Sequence, residues 1–294
     1  MRFKTLDETQ ALQFPGFIRP DLLDDEDLSD FIFYAAEDER GLLGMAVVDP
    51  EINGPELLSI AVIPSALRTG VGSGLLGFIK QDLEKLLGSQ GRAYDTYALF
   101  SLLTPQMEQK EDLMGFLKSN DFFEAERNEV YQIRIHDLLS SDLLDRARMS
   151  SQYRVMQLKT VTRGQLAAFC DELDNMGRFS GYDFDSMDQD ISMFVTEGER
   201  IIGCALFNRA GEKLLDNEWI YMENAAKRPQ ALMAMLKNCF DEAEDNMPER
   251  SEVSFVIESK EGEKLLKSLM PQAKPVDEII SMTTVLYPVD PALE

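Results

Sequence analysis

Apolar positions along the chain follow two periods, and each period predicts an element. From Gly70 to Leu87, the residues Val71, Leu75, Ile79, Leu83 and Leu87 recur at every fourth position, which predicts a helix with one apolar face. Just before it, Leu57 to Ile63 is apolar at all but one position and predicts a strand buried on both faces. Phe31 to Ala36 and Leu42 to Val48 are apolar runs joined by Glu37-Asp38-Glu39-Arg40-Gly41, the pattern of a β-hairpin. Arg2 to Leu6 and Tyr94 to Leu103 read as further strands, Met107 to Ser119 as a second amphipathic helix, and Phe122 to Ile135 as a closing hairpin or bent strand. Between the first strand and the hairpin, Glu8 to Asp30 reads as helix and loop broken by Pro15 and Pro20.

The second half repeats this order. Tyr153 to Val161 is a strand, Gly164 to Met176 a helix, and Met193 to Thr196 with Ile201 to Phe207 a hairpin. The two hairpins align: Glu37-Asp38-Glu39-Arg40 then Gly44-Met45-Ala46, against Glu197-Gly198-Glu199-Arg200 then Gly203-Cys204-Ala205. A strand at Trp219 to Met222 precedes a helix from Pro229, where the first half has the helix from Gly70. A strand (Glu252 to Ile257), a helix (Glu261 to Leu269) and a last strand (Ile279 to Leu286) complete the match. A shared order at a near-constant offset indicates an internal repeat, against the competing reading of two unrelated α+β domains. The expected division is a first domain over 1–137, a connecting helix over 138–152 and a second domain over 153–294.

Composition narrows the chemistry. The chain has 29 Lys and Arg against 53 Asp and Glu, a net charge of −24. Phosphate-tracking surfaces need clustered cations, so nucleic acid and anionic membranes are not expected as partners. A single histidine, His136, leaves no room for a multi-His metal site, and no metal is expected. Any Ser-His-Asp or Cys-His arrangement would have to be built on that one residue. Cys170, Cys204 and Cys239 are odd in number, widely spaced and set in apolar stretches, so they are expected as buried free thiols. The opening MRFKTLDETQ lacks a signal-peptide core, and no run of about eighteen apolar residues occurs, so a cytoplasmic protein is expected. Asp183, Asp185, Asp188 and Asp190, beside Tyr182 and Phe184, form an acidic cluster that would attract cationic amines or simply be solvated.

The stretch LLSIAVIPSALRTGVGSGLLGF carries the most information. A strand ends at Pro64, a short loop follows, and Gly70-Val71-Gly72-Ser73-Gly74 opens the long helix. The first N–H groups of a helix lack internal partners and lie at the positive end of its dipole, and glycines let an anion approach the backbone. The G-x-G-x-G spacing is not the dinucleotide fingerprint, and the Gly-Lys-Ser/Thr of a P-loop is missing.

This segment resembles the acyl-CoA-binding motif of the GNAT family of N-acetyltransferases: an apolar strand, a Val-x-Pro step, an (Arg/Gln)-x-x-Gly-x-(Gly/Ala) loop and a helix. Phe116-Leu117-Lys118-Ser119-Asn120-Asp121-Phe122 is similar to the family's later helix-to-strand junction, usually ending Asn-Gly-Phe. The resemblance implies an α/β (α+β) fold of two GNAT-like domains, each a mixed, mostly antiparallel sheet flanked by helices. It implies acetyl-CoA as co-substrate, with the diphosphate on main-chain amides from Arg68, Thr69, Gly70, Val71, Gly72 and Ser73. Ala61, Val62 and Ile63 would line the pantetheine arm as an added strand does. The family's Arg/Gln falls on Leu67, with Arg68 next door. The corresponding second-half loop, Asn224 to Gln230, has no glycine and a proline at the helix start, so that half is expected to be degenerate.

The implied reaction is acyl transfer to a primary amine, on a cationic small molecule or a peptide. Deprotonating a lysine-like amine at pH 7 costs about 4–5 kcal/mol, so a base is needed. Glu56, at the start of the strand, is the candidate, and by simple alternation it would share a face with Leu58, Ile60 and Val62. Glu51 is farther back in a turn. The family's usual acid, a Tyr on the later helix, falls on Leu117, and its usual Asn on Lys110. Tyr97 is the candidate substitute, with Tyr94 and Tyr131 behind it. These departures keep a second reading in play, a non-catalytic GNAT-fold module binding CoA or a protein partner, and the resemblance leaves a homodimer open.

Overall fold

Twelve strands and nine α-helices alternate along the described residues of the computed structural model, which are 1–23, 28–50, 54–89, 97–104, 107, 109–148, 151–176 and 183–288. They gather into two units, Met1–Arg127 with Ile279–Glu294, and Asn128–Glu278.

In the first unit, β1 (Arg2–Leu6), β2 (Ile32–Asp38), β3 (Gly41–Asp49) and β4 (Glu56–Val62) pair antiparallel in sequence order. β5 (Tyr97–Leu103) joins β4 in parallel, and β12 (Asp277–Leu286) closes against β5 antiparallel. One face is covered by α3 (Val71–Leu87) and α4 (Lys110–Lys118). The predicted stripe of α3 is the buried one, with Leu76 added to it, against Tyr34, Ala46, Val48 and Leu57 of the sheet. Each such side chain contributes roughly 1.5–3 kcal/mol by leaving water. The Tyr34 hydroxyl is buried there and donates to Asp82 Oδ2 of α3 at 2.9 Å. The other face is covered by the chain around α1 (Glu8–Ala11) and α2 (Pro20–Leu23), where Ala11, Ile18 and Leu22 pack on Phe33, Met45 and Val47. A capping box at Asp7 and Gln10 starts α1.

The second unit uses β7 (Tyr153–Gln157), β8 (Met193–Glu197), β9 (Arg200–Arg209) and β10 (Leu214–Met222) in the same antiparallel run. β11 (Glu252–Ile257) joins β10 in parallel, and β6 (Phe123–Arg134) pairs antiparallel with β11. α7 (Arg163–Asn175) lies on one face, with Phe169 and Leu173 against Phe194, Cys204 and Leu206. α8 (Pro229–Asn246) and α9 (Lys260–Leu269) lie on the other, with α5 (Ile135–Leu139) and α6 (Asp142–Asp145). Both units are thus mixed, mostly antiparallel sheets flanked by helices, the expected fold class.

Three expectations differ from the structure. The units do not divide at 137 and 153. β6, the strand at the end of the first half, pairs with β11, and β12, the last strand, pairs with β5. An antiparallel edge accepts either strand by backbone pattern, so composition decides. β12 is apolar enough to fill a core position, burying Ile280, Met282 and Leu286, whereas the first half of β6 is polar and exposed. The stretch 138–152 also does more than connect, because Leu138 and Leu144 are fully buried in the second unit's core. Finally, the strand from Leu57 is not buried on both faces: within β4 only Leu57 is buried, and Leu58 to Val62 are half-buried.

The repeated hairpins have a shared packing cause. Gly44 lies opposite Val62, and a Cβ there would sit 2.8 Å from the Ala61 carbonyl oxygen. Gly203 lies opposite Met222, and a Cβ there would sit 2.7 Å from Met222 Cε and 2.8 Å from the Tyr221 carbonyl oxygen. In each unit the glycine lets the strand before the long helix come close.

Candidate functional site

The half-buried stretch of β4 marks where β5 leaves it. Glu56↔Phe100 is the single register pair between them among the described residues. The Phe100 N–H donates to the Pro55 carbonyl at 2.9 Å, and Ser101 Oγ donates to the Leu57 carbonyl at 3.2 Å. Beyond these contacts the two strands part.

A β-bulge lies at the same point. Val48 faces Leu57 but Val47 faces Ser59, so Leu58 is the extra residue. Arg19 Nη1 donates to the bulged Leu58 carbonyl at 3.2 Å. The bulge changes the side-chain parity. Leu57 and Ile60 pack on the α3 face, so Glu56, Leu58, Ser59 and Ala61 belong to the α1/α2 face. Glu56 therefore does not share a face with Ile60 and Val62, as unbroken alternation predicts. Its neighbours on its own face include Asp49, directly opposite on β3, Phe100 of β5 and, along β4, Ser59, whose buried hydroxyl has no hydrogen-bond partner among the described residues.

The bulge leaves the main-chain alternation beyond it intact. The Ile63 N–H donates to the Leu43 carbonyl at 2.9 Å, and Ala61 faces Met45, so both direct their peptide groups at β3. Val62, and Ile60 two residues back, direct theirs to the side that β5 has left. Of the three residues expected to meet a pantetheine arm by main chain, Val62 is the one so oriented, and Ile60, outside those three, shares its orientation, a hydrogen-bond phase that single-sequence reading does not fix.

The loop after β4 then delivers the start of α3. Pro64–Ala66 makes a 3-10 turn, Arg68 adopts φ 59°, and Thr69 Oγ1 donates to the Ala66 carbonyl at 2.7 Å. Gly70 is the N-cap at φ 88°, ψ 2°, a left-handed conformation that suits glycine. The first helical bond runs from the Gly74 N–H to the Gly70 carbonyl at 2.9 Å. No side chain caps the helix, and no acidic residue stands in its first turn. The N–H groups of Val71, Gly72 and Ser73 therefore present a positive end that the chain leaves uncapped. A Cβ at Gly70 would meet nothing within 4 Å, whereas one at Gly72 would lie 3.1 Å from the Phe116 ring of α4, and one at Gly74 would lie 2.5 Å from Phe3. Gly70 serves the turn; Gly72 and Gly74 serve close packing.

The α4 junction is built as the resemblance implies, with one substitution. Asp121, where the family has Gly, takes φ 67°, and the Phe122 N–H donates to the Leu117 carbonyl at 3.1 Å. Asn120 Nδ2 donates to the Phe116 carbonyl at 2.8 Å, and Lys80 Nζ of α3 donates to the Asn120 carbonyl at 2.9 Å. Leu117, at the family's Tyr position, is fully buried on the α3 face. Tyr97 packs on that same face, so the sheet separates it from Glu56. Tyr131 lies in the second unit and donates to Glu129 Oε2 at 2.7 Å, a bond that with burial pushes its pKa up to about 12. Tyr94, Tyr182 and Glu51 lie outside the described residues.

The second unit's loop is closed by its own side chains. Arg228 Nη1 donates to the Glu223 carbonyl at 2.9 Å and to Glu223 Oε2 at 3.1 Å, and its Nη2 donates to Glu197 Oε2 at 2.9 Å. Pro229 removes a donor from the start of α8. The aspartate cluster is likewise spent internally. Asp183 and Asp188 accept from the turn N–H groups of Asp185, Asp190 and Ile191, and Asp188 and Asp190 pair with Arg209 and Lys159. Cys204 and Cys239 are buried free thiols whose pKa is pushed well up by burial, and Cys170 is free and half-buried. Among the described residues no helix is long and apolar enough to cross a membrane.

No protein-family model matches the chain, and no curated protein matches it. Solved structures do. A tandem GNAT protein from the clavulanic acid biosynthesis pathway, solved without acetyl-CoA, is similar with a TM-score of 0.65 at 11% identity, over 98% of this chain and 99% of that one. A GCN5-related N-acetyltransferase from Sphaerobacter thermophilus gives 0.61 at 13% identity, over 90% and 84%. A probable N-acyltransferase from Enterococcus faecalis gives 0.60 at 13% identity, over 97% and 73%. At these identities the likeness is one of fold.

Proposed function

We propose, for a chain with the tandem GNAT fold, that its first unit transfers an acyl group from acetyl-CoA to a primary amine in the cytoplasm. The observation that carries this reading is one continuous feature. β5 parts from β4 beyond Glu56↔Phe100, the exposed β4 edge turns its Ile60 and Val62 peptides outward, and the edge leads straight to the uncapped start of α3. The residues fit the coenzyme: amides of Gly70, Val71, Gly72 and Ser73 for a diphosphate, and the β4 edge for an extended amide-bearing arm. Bound acetyl-CoA would supply the activated thioester.

The chain's own groups then have distinct tasks. Glu56, on the α1/α2 face beside the parting strands, takes the proton of the amine. The N–H of Ile60 or Val62 stabilises negative charge developing on the acyl oxygen. The Ser59 hydroxyl, buried on the Glu56 face with no partner among the described residues, is a group there able to donate a hydrogen bond to the acyl group. Tyr97, the acid candidate read from the sequence, acts only if the departing thiolate is reached from the α3 face.

One observation favours the alternative. Leu117 fills the family's Tyr position, so a CoA-binding module without catalysis shares the same cleft. Dialysed protein with acetyl-CoA and an amine panel separates the two readings. Transfer requires a rise in melting temperature with coenzyme and thiol release with an amine. Glu56→Gln then lowers release about 10²–10⁴-fold while leaving the melting shift in place. A shift with no release from any amine sinks the enzyme, and no shift at all sinks both.

A further inference from the structure

The second unit repeats the parting of strands but lines it with different chemistry. β10 pairs with β11 from Leu214↔Glu252 to Asn217↔Phe255 and no farther. At that point β10 has its own bulge, since Asn217 faces Phe207 and Trp219 faces Leu206, leaving Glu218 extra. Between the strands opens a cleft of about 670 Å³, within the range of small-molecule sites. Its floor is apolar, with Leu236 and Phe240 of α8 and Leu265 and Leu269 of α9. Trp219 and Tyr221, stacked with ring centroids 5.3 Å apart and packed against Phe169 of α7, border it from the other face of the sheet. Among the described residues, the charged ones lining it are Glu218, Glu258 and Glu261, with no Lys, Arg or His.

We infer that this cleft binds an amphiphilic organic ammonium ion, its apolar part on the α8 and α9 side chains and its charge beside Glu218 and Glu258. Charge complementarity selects this occupant. An acyl-CoA or other anion would meet three carboxylates and no cation. The two helix starts in this part of the unit supply no net positive end, because α9, though it opens on Lys260, is capped by Ser259 Oγ on the Gly262 N–H at 3.0 Å and carries Glu261 and Glu263 in its first turn, while α8 begins at Pro229 behind the paired Arg228. Among the described residues the Glu218 side chain accepts a hydrogen bond from the Asn208 amide alone, at 3.3 Å. Partial burial, then neighbouring Asp216, raise its pKa, which an ammonium partner would reverse. The inference is independent of acyl transfer in the first unit and holds or fails whether or not thiol is released there.

Trp219 is the chain's single tryptophan, so its emission reports this cleft in the full-length protein. Octylammonium, octanol and octanoate are titrated at fixed ionic strength, with calorimetry in parallel. Octylammonium is expected to change Trp219 emission saturably and to bind at least tenfold more tightly than octanoate. In the Glu218→Gln/Glu258→Gln double variant, the fold checked by circular dichroism, octylammonium should weaken about fivefold to thirtyfold. Octanol should not change. That variant removes two of many negative charges, so its effect isolates the cleft from the chain's general acidity. Equal affinities for octylammonium and octanoate, an unaffected double variant, or no saturable binding by either readout would overturn the inference.

Discussion

Two glycines of α3 make opposite predictions from the same substitution. Gly70 holds φ 88° at the N-cap, and Gly77 sits in the middle of the helix; a Cβ at either would meet nothing within 4 Å. Packing is thus removed from the comparison and backbone conformation decides. An L-residue in the left-handed region costs roughly 1–2 kcal/mol, partly offset by about 0.4–1 kcal/mol from a stiffer unfolded chain. Gly70→Ala should therefore destabilise by about 0.5–1 kcal/mol. Gly77→Ala should stabilise by a similar amount, since Gly inside a helix is about that much worse than Ala. By calorimetry the first unit's transition should fall by about 1–4 °C in one variant and rise by as much in the other. Coenzyme affinity supplies the functional half. If Gly70 turns the first N–H groups of α3 toward a diphosphate, losing one charge-assisted bond should weaken acetyl-CoA by about tenfold or more in Gly70→Ala, and not at all in Gly77→Ala. Two variants that melt as described but bind coenzyme equally would refute the assignment of the diphosphate to this loop. A stabilised Gly70→Ala would refute the turn itself.

Two further expectations concern stability. Tyr34→Phe should cost about 2 kcal/mol in denaturant unfolding, because Asp82 loses a buried donor. Burial, then the charge of Asp82, raise the Tyr34 hydroxyl above its ordinary value. The proton is thus kept in the fold and released on unfolding above about pH 10. Wild type should accordingly lose stability as pH rises past 10, and Tyr34→Phe should lose less over the same window. Gly44→Ala and Gly203→Ala should each cost roughly 1–3 kcal/mol, since a Cβ meets a backbone carbonyl oxygen at 2.8 Å in both; a neutral effect in either unit would remove the packing account of the repeated hairpin.

The parts of this fold legible in the sequence were those fixed by local periodicity. The α3 stripe, both hairpins and the Gly70 loop all follow from spacing within a few residues of one another. The repeat was legible for the same reason, and its glycines prove to face the strand that precedes each long helix. What escaped was non-local. The exchange of β6 and β12 depends on which strand better fills a distant edge, and nothing within either strand names its partner. The bulge at Leu58 is invisible in an apolar run, yet it moves Glu56 to the other face from Ile60. Gly72 reads as an anion-cradle residue, and nothing nearby tells that its missing side chain, like that of Gly74, makes room for a ring far away in sequence, Phe116 and Phe3 respectively.

One device, a bulge followed by parting strands, occurs in both units, and the loop behind it decides its charge. In the first unit residues 63–70 separate β4 from α3, long enough for two left-handed residues, Arg68 and Gly70, and an uncapped helix start. In the second, residues 223–228 separate β10 from α8. The two-residue-shorter path has one left-handed residue, Asn224, and ends in Arg228 pinned by Glu223 and Glu197. Its positive charge is consumed inside the loop, and among the described residues lining the cleft, carboxylates are the charged groups. The overall charge of −24 does not override this difference, because surface charges more than about 8–10 Å apart are largely screened at physiological salt, whereas helix amides and cleft carboxylates act at contact. The proposed selectivity, for an anion in one half and a cation in the other, would therefore need no change of fold, only two residues of loop and a proline at the helix start.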